Sequence, residues 1–328
     1  MKQILYAFAF AFSCLLATGA QAADHMLKFG HAASSSHLFH TGLEMFAKKV
    51  AAKTGGAVEI QVFGDRQLGD DRQLLEGLQL GTIDGALVSA PVLPLVIGAA
   101  AFDALQLPFV VNTYEEMSAA LSSEVGQKLL ATLDAKKIKG LGYIEAGQRH
   151  FLASGVQVGT VADFKGLKTR IVPIPLHKAT WEAVGVNPIG LAYGEVYSAL
   201  QTGTIDAVEI NLSSVRSESL YQNAKHVTRT GHYFWPGVLM ISADKFKALP
   251  DTVQAAMIEA GQEVITEQYA LAGAQESETA AFLKENGVTI GELGNLDEMR
   301  ARTRPVVDAW LKKDPLIQAF VDQIAKGR

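Results

Sequence analysis

Apolar and polar positions along the chain switch repeatedly between two periods. Val58-Glu59-Ile60-Gln61-Val62-Phe63 alternates with period two, as a half-buried strand does. Leu38, Leu43, Phe46, Ala47 and Val50 share one face of a helix over 38–53, ended by Thr54-Gly55-Gly56. Residues 27–30, 140–143 and 168–172 read as further short strands, and Pro173 and Pro175 break the pattern after the last of these. Two stretches nearly coincide: LQLGTIDGA at 78–86 and LQTGTIDAV at 200–208. Each closes a helical pattern, DDRQLLEGLQLG in the first copy and GEVYSALQTG in the second, with a glycine suited to a helix C-terminus. Each then enters a short apolar run, 83–88 and 205–210. Helix, glycine turn and buried strand make half of a β-α-β unit, so the pattern predicts two α/β lobes of similar construction. From 250 to 286 a polar-apolar pattern continues without a stop until Gly287. A helix that long would span ~55 Å, and would either cross both lobes or bend at Gly261 or Gly273.

The length of 328 residues suits two domains, and 48% hydrophobic with 19% charged residues is globular composition. A net charge of −5 and the lack of any Lys/Arg-rich stretch argue against a nucleic-acid partner. The first residues change the picture more. Lys2, an apolar run over 4–16 and the small-x-small triplet Ala20-Gln21-Ala22 predict a secretory signal peptide over 1–22. An uncleaved anchor is disfavoured because the run is shorter than the ~20 residues of a span. Acylation at Cys14 is disfavoured by its upstream residues. Cys14 is the only cysteine, so cleavage leaves no disulfide, thiol nucleophile or cysteine metal site. A soluble periplasmic protein is expected.

In open α/β sheets ligands bind beyond the carboxyl ends of strands. That rule points to Ser89 and Ala90 in the first lobe and to Glu209, Ile210 and Asn211 in the second. A solute enclosed by hinge closure loses its water, and charges around it then act strongly. Arg149 in GYIEAGQRHF and Arg170 in GLKTRIVP are the candidates for gripping a carboxylate with two parallel hydrogen bonds; surface arginines are the bland alternative. His31, His37 and His40 cluster, but no acidic or cysteine partner stands at metal spacing, so a polar lining or structural role is expected and no metal. Trp235, in His232-Tyr233-Phe234-Trp235, can wall a ligand or pack a hinge. No G-x-S-x-G, H-E-x-x-H, phosphate loop or helix-opening G-x-G-x-x-G occurs. The neighbouring acids Asp70 and Asp71 alone do not indicate glycosidase chemistry.

FGHAASSSHLFHTGLEMFAKKV, VFGDRQLGDDRQLLEGLQLGTIDGALVS, ALQLPF, DFKGLKTRIVP and GEVYSALQTGTIDAVE occur in that order, with GHYFWPGVLMIS and LPDTVQAAM. Together they resemble the substrate-binding proteins of TRAP transporters, the tripartite periplasmic secondary uptake systems, over nearly the whole chain beyond the signal peptide. The resemblance implies a periplasmic-binding-protein-like α/β fold of two hinged lobes with a long helix spanning both. We expect lobe I over 23–147 and about 236–272, and lobe II over 148–235 and about 273–328. It implies a monomeric receptor without cofactor or catalysis, which captures an organic acid and delivers it to a TRAP permease. Arg170 occupies the position of the family's carboxylate clamp, Arg149 a supporting one, Asp71 a polar pocket position and Tyr193 an aromatic one. Ser89 stands where some sugar-acid binders carry glutamate, and Ile210 where many members have asparagine, with Asn211 one step later. Those departures argue against assuming a sialic-acid-like ligand. Glu209, Asn211, His31 and Trp235 are expected to complete the pocket. The alternatives are an exported enzyme acting on a small acid, or a receptor for a sensor or another transporter class.

Overall fold

A computed structural model describes residues 23–328, so the signal peptide expected over 1–22 lies outside the described residues. The apolar runs form two separate sheets. The strands are β1 (His25–His31), β2 (Val58–Phe63), β3 (Gly85–Ser89), β4 (Ile138–Glu145), β5 (Arg149–Ala153), β6 (Lys168–Ile171), β7 (Asn187–Gly190), β8 (Ala207–Asn211), β9 (His226–Arg229), β10 (Pro236–Ser242) and β11 (Thr289–Glu292). The first sheet has the order β2-β1-β3-β10-β4, the second β11-β9-β5-β8-β6-β7. β1 runs parallel to β2 and β3, and β10 enters antiparallel between β3 and β4. In the second sheet β5 is antiparallel to β8 and β9, while β6 is parallel to β7 and β8.

The repeated nine residues play the same part in each half. The helices Asp71–Leu80 and Val196–Gln201 turn through Gly81 (φ 70) and Gly203 (φ 69) into β3 and β8. Both glycines hold the left-handed backbone that side-chain-bearing residues avoid. Alternation then sorts side chains to the two faces of the second sheet: Leu152 joins Val208 and Val227 on one side, while Phe151 packs with Phe164 and Trp181 on the other. Each such fully buried side chain contributes about 1.5–3 kcal/mol of transfer free energy.

The long helix runs unbroken over Asp251–Glu285, 35 residues or about 52 Å. It packs against the helix Leu38–Lys53 and β4 in the first half, and against the helix Leu212–Ser217 and β11 in the second. Gly261 is not a bend. A Cβ there would lie 2.2 Å from the Leu141 carbonyl oxygen, and one at Gly142 would lie 2.3 Å from that of Gly261. The two glycines let the helix lie directly on β4.

The C-terminal end departs from the expected grouping of 273–328 with the second lobe. The helix Pro315–Lys326 packs on the helix Glu124–Ala131 and the turn Ala100–Gln106 of the first half. Its apolar stripe, Ile317, Phe320 and Ile324, completes the first core, and Trp310 Nε1 donates to Asp103 Oδ2 at 2.8 Å to fix the approach. Among the described residues no helix is long and apolar enough to cross a membrane.

Candidate functional site

A cavity of about 150 Å³ is lined from both halves. The second half supplies Arg170 from β6, and strand pairing determines its state. β6 has parallel neighbours on both sides, and the chain leaving β7 brings the Leu191 carbonyl against the guanidinium. Arg170 Nε and Nη2 both donate to that one oxygen, at 3.1 and 2.9 Å. Nη1 has no hydrogen bond among the described residues. Arg170 is 2% exposed, and burial lowers its pKa to about 10, which leaves it cationic at neutral pH.

Arg149 lines the same cavity in the opposite condition. It sits on β5 across from Asn211 of β8, diagonal to Glu209. Its Nε donates to Glu209 Oε2 at 2.7 Å, its Nη2 to the Glu209 carbonyl and its Nη1 to Asn211 Oδ1 at 3.5 Å. The guanidinium lies 3.8 Å from the centre of the Trp235 ring. Burial by itself would raise the Glu209 carboxyl. Arg149, His232 and His177 more than offset that and hold it far below the carboxylate range. Tyr233 Oη donates to the same carboxylate at 3.0 Å. Burial holds His232 at about 4 and His177 at about 3, so both rings face Glu209 as neutral dipoles. The charge of Arg149 is thus matched inside the protein, whereas that of Arg170 is not.

The first half contributes Asp71, the first residue of the helix Asp71–Leu80. Asp70 caps that helix through Gln73 N at 3.0 Å, with Gln73 Oε1 answering Asp70 N at 2.9 Å. Burial raises the Asp71 carboxyl to about 6, with hydrogen bonding to Ser89 opposing the shift. Ser89 does not line the cavity; it stands behind Asp71 and lies 3.4 Å from Trp235 Nε1. Tyr193 and Trp235 do line it.

Besides Ser89, three expected residues are elsewhere. His31 is buried beside the cavity with Nε2 2.9 Å from His40 Nδ1, while its neighbour Ala32 forms the wall. Glu209 and Asn211 stand behind Arg149, and Asn211 Nδ2 donates to the Ala146 carbonyl and to Ser213 Oγ. Ile210, on the other face of the pleat, fills the second core. Among the described residues no group of three or more His, Cys, Asp or Glu is placed to hold a metal.

One functional candidate escaped the sequence reading. Arg66 lines the cavity from the loop before Asp71, where Asp65 (φ 54) and Arg66 (φ 60) both hold left-handed backbone. Arg66 Nη2 lies 3.1 Å from Glu218 Oε2, and Ser34 N donates to Glu218 Oε1 at 3.0 Å. Its guanidinium is 5.1 Å from the Tyr193 ring centre. Glu218 therefore ties two loops of the first half to the second. The only sequence signal was a cation in the turn GDRQLG, which no periodicity singles out.

Residues 29–314 match the family model described as bacterial extracellular solute-binding protein, family 7. The chain is 30% identical over 294 residues to the 2,3-diketo-L-gulonate-binding periplasmic protein of Escherichia coli (strain K12), covering 88% of each. A TRAP periplasmic solute binding protein from Bordetella bronchispeptica, with density assigned as pantoate, superimposes with a TM-score of 0.85 at 32% identity, over 91% of this chain and 99% of that one. Another from Chromohalobacter salexigens, with bound D-glucuronate, gives 0.85 at 27% identity, over 92% and 100%.

Proposed function

Because the chain belongs to the bacterial extracellular solute-binding proteins of family 7, we propose that it is a periplasmic receptor. It encloses a small carboxylate-bearing solute between its halves and hands it to a TRAP-type permease. The observation that carries this reading is Arg170, a buried cation on the cavity wall with one guanidinium edge, Nη1, unpaired by the described residues. A buried cation is costly unless matched, so a ligand anion is its natural counterpart. Pantoate, D-glucuronate and 2,3-diketo-L-gulonate, the compounds named for three relatives, share a carboxylate and differ in the rest. Arg149, Glu209 and Asn211 act through Trp235, which they hold flat against the cavity. Asp71, backed by Ser89, offers an acceptor to the bound solute, and Tyr193 walls it. Residues 1–22 direct export and are removed after Ala22. The protein binds its solute without changing it.

Native mass spectrometry of protein purified without refolding, paired with thermal-shift screening of organic acids, tests this. An acid at 100 times its dissociation constant should stabilise the fold by ~2.7 kcal/mol and be recovered intact. Turnover of the bound compound would make the protein an enzyme. Absence of a shift with every carboxylate, or equal shifts with the corresponding amides, would refute the receptor reading.

A further inference from the structure

The short helix Val92–Ile97 has an apolar residue at nearly every position, yet only part of it faces the core. Leu93 and Ile97 are buried in the first core. Val92, Leu95 and Val96, at the i, i+3, i+4 spacing of one helix face, lie on the cavity, where Leu95 keeps 39% of its surface exposed. The second half also presents apolar groups to the cavity: Val172, Pro173 and Leu191. The fold does not require this. A face that meets only water is ordinarily polar, and a contiguous apolar surface in a binding cleft marks what the cleft holds.

The polar side chains of the cavity are few, and most are already committed. Asp70 caps its helix, Arg66 pairs with Glu218, Arg72 lies 3.7 Å from Glu76, and Arg149 is matched by Glu209. Among the described residues no serine, threonine, asparagine or glutamine lines the cavity. What remains is the free edge of Arg170, the Asp71 carboxyl, the Tyr193 hydroxyl and the buried Arg66 Nε, which has no hydrogen bond among the described residues. That set can serve one carboxylate and two or three hydroxyls. A six-carbon aldonate brings five hydroxyls, and each one buried without a partner weakens binding by roughly five- to a hundredfold. The volume of about 150 Å³ matches a cavity that takes a six-carbon ring, the scale of a small organic acid.

Resting on the carboxylate-receptor reading above, we infer that the solute is an acid with a compact apolar body, a branched-alkyl 2-hydroxy or 2-oxo acid, and not a polyhydroxylated sugar acid. Leu95 and Val96 are its specificity-determining residues. Selection works through both signs of the contact. The apolar walls favour a branched carbon skeleton, and the missing hydrogen-bond partners penalise each extra hydroxyl.

Isothermal titration of the ligand-free protein tests this with branched 2-hydroxy acids of five to seven carbons, beginning with 2-hydroxy-3-methylbutanoate, with D-gluconate, and with 2-hydroxy-3-methylbutanamide. At least one branched acid should bind ten or more times tighter than gluconate, and the amide should give no measurable heat. Gluconate binding as tightly as the best branched acid would overturn the inference and leave the receptor reading standing. The amide binding as tightly as its acid would overturn the receptor reading itself. Failure of every branched acid would also overturn the inference. The near-isosteric variant Val96→Thr keeps the wall's shape. It should weaken the branched acid about three- to tenfold without weakening gluconate, and an equal effect on both would remove Val96 from the specificity set.

Discussion

Replacing Arg170 with methionine should separate binding from folding. The substitution keeps an unbranched side chain on β6 and deletes the guanidinium. For binding, removing one partner of a buried charge pair costs about 2–5 kcal/mol. At 1.4 kcal/mol per decade that is a ~30- to 4,000-fold rise in dissociation constant for any carboxylate ligand. For folding, two effects oppose each other. The Leu191 carbonyl loses both of its Arg170 donors, at 3.1 and 2.9 Å, and an unsatisfied buried acceptor costs about 1–3 kcal/mol. The same substitution removes a cation that burial disfavours, as its lowering to about 10 records, a relief of similar size. The thermal midpoint of the ligand-free protein should therefore barely move. Arg149→Met is the control with the opposite signature. It strands the Glu209 carboxylate, which has no exposed surface, and breaking a buried pair in this way costs about 3–5 kcal/mol. For a chain of this size that lowers the midpoint by roughly 5–8 °C. Calorimetric titration and differential scanning calorimetry on both variants decide the matter. An Arg170→Met protein that binds the native solute with unchanged affinity, or an Arg149→Met protein as stable as the parent, would refute the division of labour between the two arginines.

Three further outcomes are expected. Glu218→Gln loosens the tie from Ser34 and Arg66 to the second half; with side chains 30% and 15% exposed the Arg66 pair is worth ~1 kcal/mol, so affinity should fall about fivefold and small-angle scattering should show an expanded ligand-free protein. No change in either would mean the contact does not hold the halves together. Asp71, raised to about 6 from 3.8, is protonated below pH 4 whether folded or unfolded, so its burial carries no penalty there. The penalty grows between pH 4 and 6 and is complete above, reaching roughly 3 kcal/mol. Asp71→Asn should therefore stabilise the ligand-free protein at pH 7 and leave it unchanged at pH 3.5, as measured by urea midpoints, and an equal gain at both would exclude this origin. Gly261→Ala drives a methyl to within 2.2 Å of the Leu141 carbonyl, so the long helix must lift from β4, at a cost of about 1–3 kcal/mol in a calorimetric scan. An unchanged midpoint would show that the close approach is not needed.

Periodicity made the elements legible because it is a local property. The helix Leu38–Lys53 and β2 stand at the residues where the pattern changes, and the twin nine-residue stretches locate β3 and β8 inside their sheets. The return of the C-terminal helix to the first core was not legible, since Ile317, Phe320 and Ile324 make an apolar stripe that would suit either half. The two arginines show the same limit at the site. Each lies in an apolar strand, 21 positions apart, and nothing nearby in sequence tells them apart. What distinguishes them is topology. The antiparallel pairing of β5 with β8 brings Glu209 diagonally onto Arg149, whereas the neighbours of β6 bring Arg170 only the Leu191 carbonyl. The mismatch at Arg170 cannot come from a shortage of acids, because the chain carries 34 acidic residues against 29 basic ones. One of them, Glu209, is close enough to act on Arg170 electrostatically, yet it commits its hydrogen bonds to Arg149 and Tyr233. A buried cation that the surrounding protein could have matched and did not is best explained by a counter-ion that arrives from outside, and the lining around it makes the remainder of that guest apolar.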